Sequence, residues 1–150
     1  MRTSVRWGAA LLLALALGAT AGCGSPAPDA SDHRDAVVTA VEAALGDART
    51  ATILADAWQH DSASDAYATV ILRESSASVE GAAGELTALT PPVAGDALQE
   101  RAAGVLSDAE EAVTALRVAV ERGDHDAAAA AARLLADAAS DLEQISEDLG

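Results

Sequence analysis

The side chains of this chain that could bind a metal, move a proton or attack a carbon are few, and their spacing serves none of those tasks. There are three histidines, His33, His60 and His125. Metal binding on a helix needs ligands that share a face, as in His-x-x-x-His, or the Glu-x-x-His pair of a carboxylate-bridged iron site in a bundle. Neither pattern occurs. The three imidazoles are expected as solvated residues at helix starts and turns, with no metal and no cofactor.

Carboxylates are paired at Glu110-Glu111, Asp124-x-Asp126 and Glu147-Asp148. None has the calcium-loop spacing, with its central Gly and terminal Glu. A solvated acidic face is the expectation, and binding of a cation or small ligand by that face is kept as the second reading. Asp124 and Asp126 also suit the positive end of a helix dipole. Serines are common, but no Gly-x-Ser-x-Gly is present and the chain has no Lys to activate a Ser-x-x-Lys nucleophile. The 11 glycines are scattered and make no phosphate loop. The chain is therefore read as non-catalytic, with an unrecognised enzyme as the third reading.

Two aromatic residues follow the N-terminal segment, Trp58 and Tyr67, and both flank a proposed turn. Aromatic side chains anchor binding surfaces. At helical spacing they more often fill a core. If both face outward, that end of the molecule is the place for a partner, so Trp58 and Tyr67 are the candidate partner-binding residues.

Charge narrows the partner. All 24 acids lie after residue 28, where only seven of the nine Arg remain, giving that part of the chain a net charge of −17. A surface so negative repels phosphate, and nucleic acid is excluded as a partner. One Cys, Cys23, forms no internal disulfide and no thiol cluster. The 40 Ala and the absence of Lys fit a GC-rich genome and say nothing about chemistry.

The N-terminus reads as an address. Arg2 and Arg6 give a positive start without acids, Ala9 to Leu17 are apolar, and small residues lead to Cys23. This is a secretory signal in charge and length, and it is shorter than the roughly 20 residues of a membrane span. Thr20-Ala21-Gly22-Cys23 resembles a bacterial lipobox, with Thr20 where that pattern usually has Leu. The resemblance implies signal peptide 1–22, a diacylglyceryl thioether on Cys23, and a membrane anchor on the outer face of the cell membrane. Ala19-Thr20-Ala21 also reads as an ordinary signal-peptidase site, which would leave Cys23 a free thiol. Residues 23–30, rich in Pro and small side chains, form a tether.

The elements that must position everything else are helices. From Ser31 onward the chain is dominated by Ala, Leu, Glu and Arg, with two adjacent prolines, Pro91 and Pro92. Ala128, Ala131, Leu135, Ala138, Leu142, Ile145 and Leu149 step 3, 4, 3, 4, 3, 4, a heptad seam. Leu98, Ala102, Val105, Ala109, Ala112, Leu116 and Ala119 do the same, flanked by Leu106, Val113 and Val120. Val37, Val38, Val41, Leu45, Ala48 and Thr52, continued by Ile53, Leu54, Ala57 and Trp58, make a first face. Tyr67, Val70, Ile71, Val79, Ala82, Ala83, Leu86 and Leu89 make a second, interrupted by Glu74-Ser-Ser-Ala-Ser78. Helices are expected at about 32–59, 63–89, 91–122 and 125–149, with Asp96 a rival start for the third. Residues 32–89 are alternatively one long bent helix. Ser62 with Asp65 loosely matches a capping box, and Gly123-Asp124 matches a helix stop followed by a cap. Short connections predict an all-α, antiparallel up-down-up-down four-helix bundle over 31–150.

Leu89-Thr-Pro-Pro92, the Gly123-Asp124 joint and the Ala-rich last helix resemble small secreted helical lipoproteins of actinobacteria. The resemblance implies a fold and a location, without an activity. Together these features describe a lipid-anchored, non-catalytic interaction module of the envelope, with another envelope protein as its expected partner.

Overall fold

The computed structural model describes residues 30–90 and 96–149. Four helices occupy them: α1 (Ala30–Gln59), α2 (Asp65–Ala88), α3 (Asp96–Glu121) and α4 (His125–Leu149). There is no strand among the described residues. α1 packs on α2 and α4, and α3 packs on the same two helices; α1 and α3 meet more lightly across the diagonal. This is an up-down four-helix bundle. Cys23, the signal peptide and most of the tether lie outside the described residues, as do Pro91 and Pro92. The third helix is described from Asp96, and the first two are separate helices, not one bent rod.

Both joints at one end of the bundle stop their helices in the same way. Asp61 and Gly123 have positive φ, 55° and 66°. After α1, Ser62 N donates to Ala57 O at 2.8 Å and Asp61 N to Trp58 O at 3.1 Å; after α3, Asp124 N donates to Ala119 O at 2.9 Å and Gly123 N to Val120 O at 3.0 Å. These pairs satisfy carbonyls that a helix end leaves bare. Gly123 takes the left-handed conformation freely, whereas Asp61 carries a side chain into it. The next helices then start on caps. Asp124 Oδ1 accepts from Ala127 N at 3.0 Å. Ser64, not Ser62, caps α2, its hydroxyl accepting from Tyr67 N at 3.3 Å. The Schellman turn uses up Ser62 N and Ala63 N, both bonded back to Ala57 O, so α2 cannot begin until they are passed.

The core runs the length of the bundle. All seven residues of the α4 seam are buried. In the other helices the expected stripe is kept in part. α3 buries Ala102, Ala109, Ala112, Leu116 and Ala119 of the expected seam together with the flanking Leu106, Val113 and Val120, while Leu98 and Val105 are only partly covered. α2 buries Ala68, Leu72, Ser75, Val79, Ala82 and Leu86, stepping 4, 3, 4, 3, 4, and leaves Tyr67 and Val70 outside. Ser75 sits in the core at the position where the apolar pattern lapses. In α1, Ile53 is exposed, and Ala51 and Ala55 take the inward positions around it.

The opposite end of the bundle holds two polar side chains in its interior. His33, expected in solvent, is buried, and its Nε2 has no hydrogen-bond partner among the described residues. Gln99 Nε2 donates to Leu86 O at 2.9 Å and Leu89 O at 3.3 Å, closing the C-terminus of α2. Its Oε1 is buried without a partner among the described residues. Arg34 donates to the carbonyl of Leu149, tying the start of α1 to the end of α4.

Candidate functional site

An up-down bundle brings the last turn of α1 and the first turn of α4 to the same end. Trp58 and His125 meet there. Their rings stack with centroids 4.3 Å apart and planes 11° from parallel. Trp58 Nε1 donates to Asp65 Oδ1 at 2.7 Å, so the indole also reaches the first residue of α2. Trp58 is 3% exposed. Three helices therefore converge on one aromatic ring. The carboxylate acceptor sits in the first turn of α2, where the helix dipole favours negative charge.

His125 remains exposed at its outer side, so the stack covers Trp58 with a polar lid. His60 lies at the same end. Its Nδ1 faces Asp56 O at 2.8 Å and Asp56 Oδ1 at 3.5 Å, and both residues are well exposed. Surface pairs of this kind contribute little to stability.

The two candidate partner-binding residues take opposite directions. Trp58 points into the bundle; Tyr67, 58% exposed, points out of it. The structure does not present them as one aromatic patch. Tyr67 is joined instead by Val70, one turn along α2 and 50% exposed. His125 is the residue that sequence reasoning left out of this site. The signal was available in topology: with two turns at one end, residues ending α1 and beginning α4 are neighbours.

The paired carboxylates are dispersed. Asp148 bonds Arg101 at 2.9 Å across α3 and α4, and Glu143 bonds Arg49 at 2.7 Å across α1 and α4. Asp124 is used as a cap. Among the described residues no three His, Cys, Asp or Glu side chains group as a metal site. No described helix is long and apolar enough to cross a membrane.

An open depression of about 580 Å³ runs along α3, from Ser107 to Arg122 and onto Ala127 of α4. A second, about 260 Å³, lies between α3 and α4 around Leu134. A third, about 330 Å³, lies between α1 and α4 beside Ile53 and the Arg49–Glu143 pair. Comparison with known proteins returns no family, no curated protein and no solved structure that matches this chain. Of the resemblance drawn from helix punctuation, the all-helical architecture stands.

Proposed function

We propose that this protein is a lipid-anchored, non-catalytic interaction module on the outer face of a cell membrane, binding another envelope protein. The observation that supports the reading is where the exposed apolar side chains of the described residues lie relative to the start of α1. α1 starts seven residues after Cys23, at the end of the bundle opposite the two turns. Seven residues span at most about 25 Å. A lipid on Cys23 would hold the bundle by that end, with helices of 24 to 30 residues rising roughly 36–45 Å from it. Among the described residues the large exposed apolar side chains are Ile53, Tyr67, Val70 and Leu134. By their positions in α1, α2 and α4, all four lie in the half of the bundle away from the start of α1. Surface apolar side chains gathered away from a tether are placed to meet a partner.

The test is fractionation of cells expressing the full chain and its Cys23→Ala form, together with photo-crosslinking from position 67. Wild type is expected in the membrane fraction and Cys23→Ala in the soluble one. A defined envelope protein should be captured by the anchored form and lost with the anchor. Equal partition of both forms would refute the lipid anchor. Capture of no protein from position 67 would refute the interaction role.

A further inference from the structure

We infer that the second half of α2, residues 75–88, opens and closes on the bundle while the other helices stay folded, and that the side chain of Gln99 is the latch that holds it shut. This property of the fold is independent of the interaction-module reading.

By sequence the segment is a poor helix. Residues 75–84 read Ser-Ser-Ala-Ser-Val-Glu-Gly-Ala-Ala-Gly. Glycine in a helix interior loses more conformational freedom on folding than any other residue, and serine offers the backbone competing hydrogen bonds. Of the other helices, α1 and α3 carry one glycine each and α4 carries none. Packing does not make up the difference. After Leu72 the large core side chains of α2 are Val79 and Leu86, with Ser75 and Ala82 at the alternate inward positions.

Polar links are also sparse. Arg49–Glu143 ties α1 to α4 and Arg101–Asp148 ties α3 to α4, and no ion pair among the described residues includes α2. Toward α3, the hydroxyls of Ser76 and Thr114 are 3.5 Å apart, beyond the usual length of such a bond. The first half of α2 is pinned, by contrast, through the Ser64 cap and the bond from Trp58 to Asp65.

The far end of α2 is closed by a side chain of another helix. α1 and α3 end in left-handed turns, whereas α2 runs into an extended Leu89 at φ −67° and ψ 135°. Leu86 O and Leu89 O accept from Gln99 Nε2 at 2.9 and 3.3 Å. Gln99 belongs to the first turn of α3, so release of one side chain frees the end of α2. Closure also carries a cost there. Gln99 Oε1 and, in the first turn of α1, His33 Nε2 are buried without a partner among the described residues. Such atoms favour the state in which water reaches them. α2 packs on α1 and α3, so opening bares apolar side chains of both that the closed bundle hides. Segments of low local stability are the ones that open without global unfolding.

The test is hydrogen exchange of the full chain in neutral detergent, read by mass spectrometry of its peptides. Amides of 75–88 should exchange through an opening at least about tenfold more populated than the one that exposes residues 135–145 of α4. Their exchange should respond little to low urea, because a local opening exposes little surface, while that of α4 should rise steeply. Gly81→Ala with Gly84→Ala, at positions where a Cβ meets open space, should slow exchange in 75–88 by about tenfold. Ala130→Gly with Ala136→Gly, both exposed in α4, should speed exchange in α4 by about tenfold and leave 75–88 unchanged. Gln99→Glu keeps the shape and removes the donor at neutral pH, and should speed exchange in 75–88 by about tenfold or more. Circular dichroism should show the same helix content in every variant. Exchange of 75–88 at the rate of α4 in the unaltered chain would overturn the proposal, since the segment would then open only with the whole bundle. So would acceleration of 75–88 by the two α4 substitutions, or indifference of 75–88 to the two alanines. Unchanged exchange of 75–88 in Gln99→Glu would overturn the latch.

Discussion

Removing the ring of Trp58 should cost more than any other single truncation at the turn end of the bundle. The ring is 3% exposed, stacks on His125 and donates to Asp65. Trp→Ala at a buried site costs about 3–5 kcal/mol, from lost transfer energy and the cavity left behind. Of that, the stack supplies about 0.5–1.5 kcal/mol. The indole–carboxylate bond supplies about 1.5 kcal/mol, the low end for a charged acceptor because Asp65 faces solvent. Trp58→Phe keeps a ring for stacking and loses the donor, so it should cost only about 1–2 kcal/mol. The assay is urea unfolding followed by far-UV circular dichroism. At an m-value of about 1.5 kcal/mol/M, Trp58→Ala should lower the midpoint by about 2–3 M. A double-mutant cycle of Trp58→Leu with His125→Ala isolates the stack, with an expected coupling of about 1 kcal/mol. Coupling below about 0.3 kcal/mol would show that the stack is only proximity. A Trp58→Ala cost under about 1 kcal/mol would refute the burial on which the whole argument rests.

Six further substitutions test other parts of the fold. Gly46 lies in mid-α1 with open space where a Cβ would stand, so Gly46→Ala should stabilise by about 0.5–1 kcal/mol and raise the melting temperature by a few degrees. Gly123, at φ +66°, also has open space around it, yet Gly123→Ala should destabilise by about 1–2 kcal/mol, so thermal melts of the two variants should move in opposite directions. Ser64→Ala should cost about 1 kcal/mol in chemical unfolding through loss of the α2 cap, whereas Ser62→Ala should be close to neutral. Leu106→Ala, in the core, should cost about 2–5 kcal/mol, while Leu134→Ala, on the surface, should change stability by less than about 0.5 kcal/mol.

Much of the fold was legible because local signals agreed. Good helix formers fill the chain from Ser31, and the two connections that the structure describes in full carry turn and capping residues. Gly123-Asp124 showed in sequence both the stop and the cap that the structure contains. The α4 seam was readable because Leu135, Leu142 and Ile145 stand among Ala and acids, a strong contrast along one face. Of the candidate site, Trp58 and Tyr67 were recognised as its aromatic residues, while His125 and the direction of each ring were not.

What the sequence determined by itself was therefore helix content, the stop at Gly123 and the cap at Asp124, the acidity of the surface and the seam of α4. Those depend on backbone propensity, composition and one-dimensional periodicity. Tertiary structure decided which stripe of α2 and α3 turns inward, that Ser75 and His33 are buried, that Ile53 is not, and that Trp58 meets His125. In an Ala-rich helix several adjacent stripes are almost equally apolar, so the hydrophobic pattern has no sharp maximum. The inward face is then set by which neighbours a helix touches: α3 buries Leu106, Val113 and Val120 together with Ala102, Ala109, Ala112, Leu116 and Ala119, and leaves Leu98 and Val105 partly covered. Contacts between residues 58 and 125 are a property of chain topology, and no local pattern carries them.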